Sequence, residues 1–345
     1  MNCPTVSTGR ARPDTEAATG NQALTKILPR HPAQAARRTR LPQFTAFLLA
    51  LAFAGAQFHG RFAVLDNLSN FPVHFAAAFL GCAALFAMRR SLVPALACLA
   101  LTVVALWRVV PWYFDVPSAP EEAARPHVRL FVSNVYRSNR EHKRFLGLVE
   151  RENPDVVGLV EVNTRWLRKL KTLRERYPYH YEVPDEHYAG LALYSRLPIE
   201  RARVLPLSGE SPLPAITATL KAPGGDVELV LAHPMSPVGA EFIRHRNEQL
   251  AGLARHAAAA QVPFVLAGDL NVTMWNDAYR PLVEVAGLRN ARAGHGVGAT
   301  WPAIGPFGVP IDHILASPEV QLRNFRVLPG IGSDHLPVTA EFSTH

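Results

Sequence analysis

The sequence predicts an α/β fold of two packed β-sheets flanked by helices, a four-layer sandwich, carried behind an N-terminal region of three apolar helices. Three observations lead there. Beyond residue 127 the chain is a series of short apolar runs with few amphipathic helices between them, which is not the strict alternation of a parallel sheet. Three stretches without a formal charge precede Trp112. Charge is also divided unevenly: residues 1–116 carry 11 Lys+Arg and 4 Asp+Glu, a net of +7, and residues 117–345 carry 25 and 24, a net of +1.

Residues 1–40 are rich in Pro, Ala, Thr and Arg without periodicity, and are expected to be disordered. The apolar stretches are Phe44 to Phe58, Phe71 to Met88 and Ser91 to Trp107. Each is near the length that spans a bilayer and lacks an amphipathic stripe, so three transmembrane helices over residues 41–114 are expected. A cleaved signal would start nearer Met1, and three buried helices of a soluble domain would not need the flanking charges. Arg37, Arg38 and Arg40 precede the first stretch, and Arg89 and Arg90 separate the second and third. The 59–70 loop holds only Arg61, balanced by Asp66. The positive-inside rule then puts the N-terminus in the cytoplasm and everything beyond Trp112 outside it, in an inner-membrane, multi-pass arrangement. Trp112, Tyr113 and Phe114 read as an interfacial aromatic belt. The cysteines are Cys3, Cys82 and Cys98, so the later domain has no thiol chemistry and no disulfide. Residues 115–127 read as a linker.

The domain over 128–345 reads as follows. Val128–Ser133 is a strand ending at Asn134, and Glu141–Glu150 is helical. Asp155–Val160 is a strand closing at Glu161, and Trp166–Tyr177 is a basic amphipathic helix. Gly190–Tyr194, Ala215–Leu220 and Val227–Ala232 are strands, the last ending at His233. Ala240–Ala260 is a long helix. Val262–Ala267 is a strand running into Gly268-Asp269-Leu270-Asn271. A short helix over Asp277–Val285, strands at Ile311–Leu315 and Gln321–Leu328, and a last strand over Leu336–Phe342 follow. Polar residues follow these strands repeatedly: Asn134, Glu161, His233, Asp269 with Asn271, Asp312, and Asp334 with His335. One such residue is ordinary turn chemistry. A set of carboxylates, amides and imidazoles at strand ends suits a hard cation working on a phosphate.

In this order the residues resemble the endonuclease/exonuclease/phosphatase superfamily of metal-dependent phosphoesterases. The segments that carry the resemblance are Phe131–Val135, Asn153–Glu161, Gly190–Ile199, Leu231–Pro234, Gly268–Asn271, Ile311–Ile314 and Ser333–Val338. Val160 stands where the family has Gln, and no Trp precedes Asn134. The resemblance implies Mg²⁺ or Mn²⁺ held by Glu161, Asp334 and Asn134. It implies His335 as general base oriented by Asp312, and Asp269 and Asn271 positioning nucleophile and phosphate. His233 would contact the phosphate or protonate the leaving group. Arg244, on the helix after His233, is a candidate substrate contact, and Thr300-Trp301-Pro302 a candidate cleft rim. His313 is expected to hydrogen-bond within the core.

The near-neutral domain and the apolar N-terminal region point to a membrane-held phosphate, such as a polyprenyl pyrophosphate or phospholipid, hydrolysed outside the cytoplasm. Short loops after residue 177 and over 290–310 weigh against a grip on nucleic acid, which leaves an extracytoplasmic nuclease as the alternative. A non-catalytic membrane interaction protein is the third reading, and the complete set of acid-base residues weighs against it.

Overall fold

The structure, a computed structural model, describes residues 32–58, 63–114, 127–208 and 213–344. Residues 1–31 and 115–126 lie outside these, and with them most of the expected disordered segment and of the linker. The first helix, α1 (Pro32–Gly55), begins inside the stretch expected to lack structure. It is followed by α2 (Ala63–Leu68), α3 (Pro72–Met88) and α4 (Leu92–Trp107).

Among the described residues no helix is long and apolar enough to cross a membrane, which corrects the expectation of three spans. α3 and α4 run 17 and 16 residues. At ~1.5 Å per residue each is about 25 Å long, short of a hydrocarbon core of ~30 Å. α1 is longer, but its first turns carry Arg37, Arg38 and Arg40. The helices pack on one another through Phe53, Phe75, Phe79 and Ala105, and through Ala83, Phe86, Ala95 and Cys98.

Among the described residues, the rest of the chain supplies twelve strands in two six-stranded sheets. The first sheet contains β1 (Val128–Asn134), β2 (Val156–Val160), β3 (Tyr179–Val183), β4 (Leu191–Ser195), β11 (Val320–Val327) and β12 (Val338–Thr344), in the order β11-β12-β1-β2-β4-β3. The second holds β5 (Ile199–Pro206), β6 (Pro214–Ala222), β7 (Gly225–Ala232), β8 (Phe264–Asp269), β9 (Arg289–Asn290) and β10 (Asp312–Ala316), in the order β5-β6-β7-β8-β10-β9. Only β1–β2 and β7–β8 pair in parallel; the other neighbours are antiparallel. Apolar side chains of both sheets, among them Leu130, Val132, Leu193, Leu229, Leu231 and Ile314, interleave in a central core. The outer face of the first sheet is covered by α5 (His142–Glu152), α6 (Thr164–Lys169) and α7 (Lys171–Arg176). The second is covered by α8 (Ala240–Ala258) and α9 (Arg280–Glu284). The layers are therefore those expected.

Sequence reading missed β3, β5 and β9. β3 and β5 are edge strands with few buried side chains; β5 carries Glu200, Arg201 and Arg203, and the alternation of Tyr179, Tyr181 and Val183 in β3 is only five residues long. The helix expected over Trp166–Tyr177 is two helices that meet at Leu170. Asn163 starts the first by accepting a hydrogen bond from the Trp166 N–H.

Register explains why the polar strand ends meet. In the parallel pair β1–β2, Asn134 lies opposite Val160, so Asn134 and Glu161 leave the sheet together. Asp269 and Asp312 are direct partners in β8–β10. β12 begins opposite Val132 of β1, which brings the preceding Asp334 and His335 to the same edge. Gly268 has φ +141°, and a Cβ there would lie 1.9 Å from the Ala232 carbonyl oxygen at the end of β7. Gly268→Ala should therefore lower the unfolding free energy by about 2 to 4 kcal/mol, read from denaturant curves of the full chain.

Candidate functional site

The strand ends open into a cavity of about 500 Å³. Glu161, His233, Asp269, Asn271, Asp334 and His335 line it together with Arg137, Tyr188 and Trp301. Asn134 and Asp312 sit immediately behind, each hydrogen-bonded to a lining residue.

Asn134 is buried, and its amide nitrogen donates to Glu161 Oε1 at 3.0 Å and to Asp269 Oδ2 at 3.1 Å. Its Oδ1 accepts from the Tyr136 N–H. The other Glu161 oxygen accepts a longer bond, 3.4 Å, from the Arg137 N–H. Glu161 and Asn271 both have left-handed backbones, at φ 62° and 51°, a conformation that side-chain-bearing residues hold only when their surroundings enforce it. For Asn271 the enforcement is visible: its N–H donates to Asp269 Oδ1 at 3.0 Å and its amide nitrogen to the Pro234 carbonyl at 3.0 Å.

His335 lies between two carboxylates. Nδ1 is 3.0 Å from Asp312 Oδ2, and Nε2 is 3.5 Å from Asp269 Oδ2. Burial alone would lower its pKa, but Asp312 and Asp269 outweigh that and hold it up at about 10. Burial likewise works to raise Asp269, and the His335 and His233 rings with the Asn271 N–H pull it far below the usual carboxylate range. The nearer Asp312 bond fixes the proton on Nδ1, which leaves Nε2 as the nitrogen that exchanges protons with the cavity. Thr300 Oγ1 in turn accepts from the Asp312 N–H at 3.2 Å and fixes that strand end. His233 pairs Nδ1 with the Tyr188 carbonyl at 3.0 Å and turns Nε2 to Asp269, 3.5 Å away.

Asp334 is exposed at the rim, where the Trp301 indole N–H donates to it at 3.3 Å. The rim expected from Thr300-Trp301-Pro302 is thus present at Trp301. Arg244 is not among the residues that line the cavity. It stands half-exposed on α8, 2.7 Å from Glu248 one turn on, so the sequence expectation of a substrate contact has no support in this geometry. His313 is buried in the core, with Nε2 on the Val272 carbonyl at 2.8 Å and Nδ1 on the Asn290 amide at 3.0 Å.

Sequence reading also missed Asn67, Asn70 and Phe71, which line the same cavity from the helical region. Their only sequence signal is a polar Asp66–Asn70 run between apolar stretches, which a membrane loop explains equally well.

Residues 132–335 match the model of the Endonuclease/Exonuclease/phosphatase family. No curated protein matches the sequence. Among solved structures the fold is similar to D. rerio TDP2 complexed with a single-strand DNA product, at 17% identity and TM-score 0.55 over 64% of this chain and 100% of that one. It is similar to the human Nocturnin catalytic domain at 20% identity and TM-score 0.54, over 64% and 96%. It is similar to an endonuclease/exonuclease/phosphatase from Beutenbergia cavernae at 22% identity and TM-score 0.51, over 64% and 72%.

His313 gives the site a testable pH signature. Burial and the nearby Arg292 depress its pKa from 6.5 to about 3. The unfolded chain therefore binds a proton first, so stability present above pH 6.5 is lost as pH falls towards 3. His313→Gln should show a shallower decline of unfolding free energy over that window than the wild type, measured by denaturant titration at successive pH values.

Proposed function

We propose that the chain, which belongs to the endonuclease/exonuclease/phosphatase family, hydrolyses a phosphate ester or pyrophosphate carried on an apolar, membrane-held group outside the cytoplasm. Phosphoester hydrolysis is the chemistry of the family, and this chain is an enzyme of that class. The lipid-linked substrate, the membrane seat and the side of the membrane are the inference.

One observation carries the substrate reading: the cavity lining combines the carboxylates, imidazoles and Asn271 with the apolar side chains of Phe71, Leu213, Pro237, Val238, Val309 and Ile311. Asn67, Asn70 and Ser236 add polar groups to the same lining. A phosphate joined to a hydrocarbon suits the apolar share of this lining, where the polar sugar and base edges of a nucleotide would find fewer partners. The helical region that contributes Phe71 exposes Leu92, Val93, Leu96, Val103 and Trp107, large apolar side chains that suit a lipid surface. The side of the membrane rests on the charge pattern alone, since no described helix is long and apolar enough to cross: Arg37, Arg38, Arg40, Arg89 and Arg90 would be cytoplasmic and the cleft outside.

Family members are generally divalent-metal dependent, and the donors here fit a hard cation. Glu161 and Asp269 converge on one neutral Asn134 amide, so two carboxylates face one small volume. Glu161, Asn134 and Asp334 would hold Mg²⁺ or Mn²⁺, which when bound neutralises phosphate charge and stabilises the leaving oxygen. Asp269, Asp312 and His335 also bring one ligand atom each within 4.8 Å of one another, but their mutual bonds suit proton handling. In its deprotonated form His335 would take the proton of the attacking water at Nε2 while Asp312 keeps the ring oriented; because Asp312 and Asp269 hold the ring protonated up to about pH 10, turnover should rise with pH through the neutral and alkaline range. Asp269 and Asn271 would align water and phosphate, and His233 would stabilise or protonate the leaving oxygen.

The test is turnover by the full chain in lipid vesicles with Mg²⁺, offered a polyprenyl pyrophosphate, a phospholipid and single-stranded DNA. Turnover of a lipid phosphate with little of DNA is expected; turnover of DNA alone would overturn the substrate reading and favour a nuclease. Glu161→Ala and His335→Ala should each lower kcat by about 10²- to 10⁴-fold, and unchanged activity in either would sink the mechanism. Chelation should abolish turnover, with Mg²⁺ or Mn²⁺ restoring it. Vesicle flotation checks the membrane seat, and a C-terminal reporter active only in the cytoplasm would reverse its side.

A further inference from the structure

We propose that Asp66, which lies outside the family domain, is a positioning residue for Asn271: it sets the loop that aims this side chain at the phosphate. The proposal rests on the role given to Asn271 above. Asp66 lies near the end of α2 and is only 2% exposed. Its Oδ2 accepts from Arg246 Nη2 on α8 at 2.7 Å, and that guanidinium is fully buried. The same guanidinium donates through Nη1 to the Asn271 carbonyl at 3.1 Å. Asp66 and the catalytic loop are thus joined through one rigid, planar cation.

A second set of bonds reaches the next residues of the loop. Asn70 Oδ1 accepts from the Thr273 N–H at 3.1 Å and from the Thr273 hydroxyl at 2.9 Å. The Asn276 amide donates to Asp66 Oδ2 at 3.1 Å and to Ser69 Oγ at 2.8 Å. The loop over Asn271–Asn276 is therefore held by the upstream segment Asp66–Asn70 directly at Thr273 and Asn276, and at Asn271 through Arg246. These bonds fall on the loop that begins with Asn271, at Asn271, Thr273 and Asn276. Asn271 has a left-handed backbone at φ 51°, and a carbonyl fixed by Arg246 keeps the peptide in that orientation. Asp66 does not line the cavity itself, so it acts through Asn271 and not on the substrate.

A double-mutant cycle on the full chain tests this, with bis(p-nitrophenyl) phosphate and Mg²⁺ as the probe. Asp66→Asn alone should lower kcat by about tenfold to a hundredfold with KM nearly unchanged. In an Asn271→Ala background the same change should have almost no further effect. Independent, multiplicative losses would show that Asp66 acts elsewhere and would overturn the proposal. If Asn271→Ala itself leaves activity intact, the site reading fails first, which separates the two failures. Should Asp66→Asn not fold, the paired replacement Asp66→Leu with Arg246→Met removes the bond to the Asn271 carbonyl without leaving a buried charge unpaired. It should show the same non-additivity with Asn271→Ala, and full activity in the paired replacement would overturn the proposal.

Discussion

Two buried carboxylates facing one imidazole form the constraint on which the rest of this structure depends. Asp269 and Asp312 are opposite each other in register, each only 1% exposed, and a charge in that position is costly unless paired. His335 enters between them, His233 and Asn134 take the remaining side of Asp269, and the Asn271 N–H closes it. Each of these partners comes from a different strand end. The two sheets must therefore be packed with those ends together, or the acids would be left without counter-groups. The fold and the chemistry are coupled through this one requirement.

Much of this was legible in the sequence because strand ends announce themselves. An apolar run that stops at Glu161, His233 or Asp269 carries both the strand and the residue it presents. Layer architecture, the central strands and the acid-base cluster could be read in that way. The edge strands β3 and β5 could not, since β5 is charged along its exposed face and the Tyr179-Tyr181-Val183 period of β3 is too short to separate from a turn. Arg244 lies outside the cavity lining for a related reason. A helix that follows a functional residue has several faces, and side-chain direction on it is fixed by packing that the local sequence does not encode.

The largest difference concerns the helical region. Its composition suggests a separate anchor, and Asp66 reads as a local counter-charge to Arg61. Arg61 lies outside the described residues, and Asp66 is instead committed to Arg246, 180 residues later. Trp112 offers its carbonyl to the Gly296 N–H at 2.8 Å, and Val109 packs in the core of the second sheet. The apolar sides of α3 and α4 remain exposed while the polar segment before α3 is consumed by the catalytic loop. Such a division of labour is invisible in a hydropathy pattern, which averages over the few polar residues that matter most here.

The buried Arg246–Asp66 pair also bears on ancestry. A catalytic module bounded by the family limits, residues 132–335, would keep the Arg246 guanidinium but lose the Asp66 carboxylate that it meets. Exchanging the upstream region for another leader would strand that charge unless position 246 changed in the same step. Recombination at this junction is thus penalised by the loss of one buried partner.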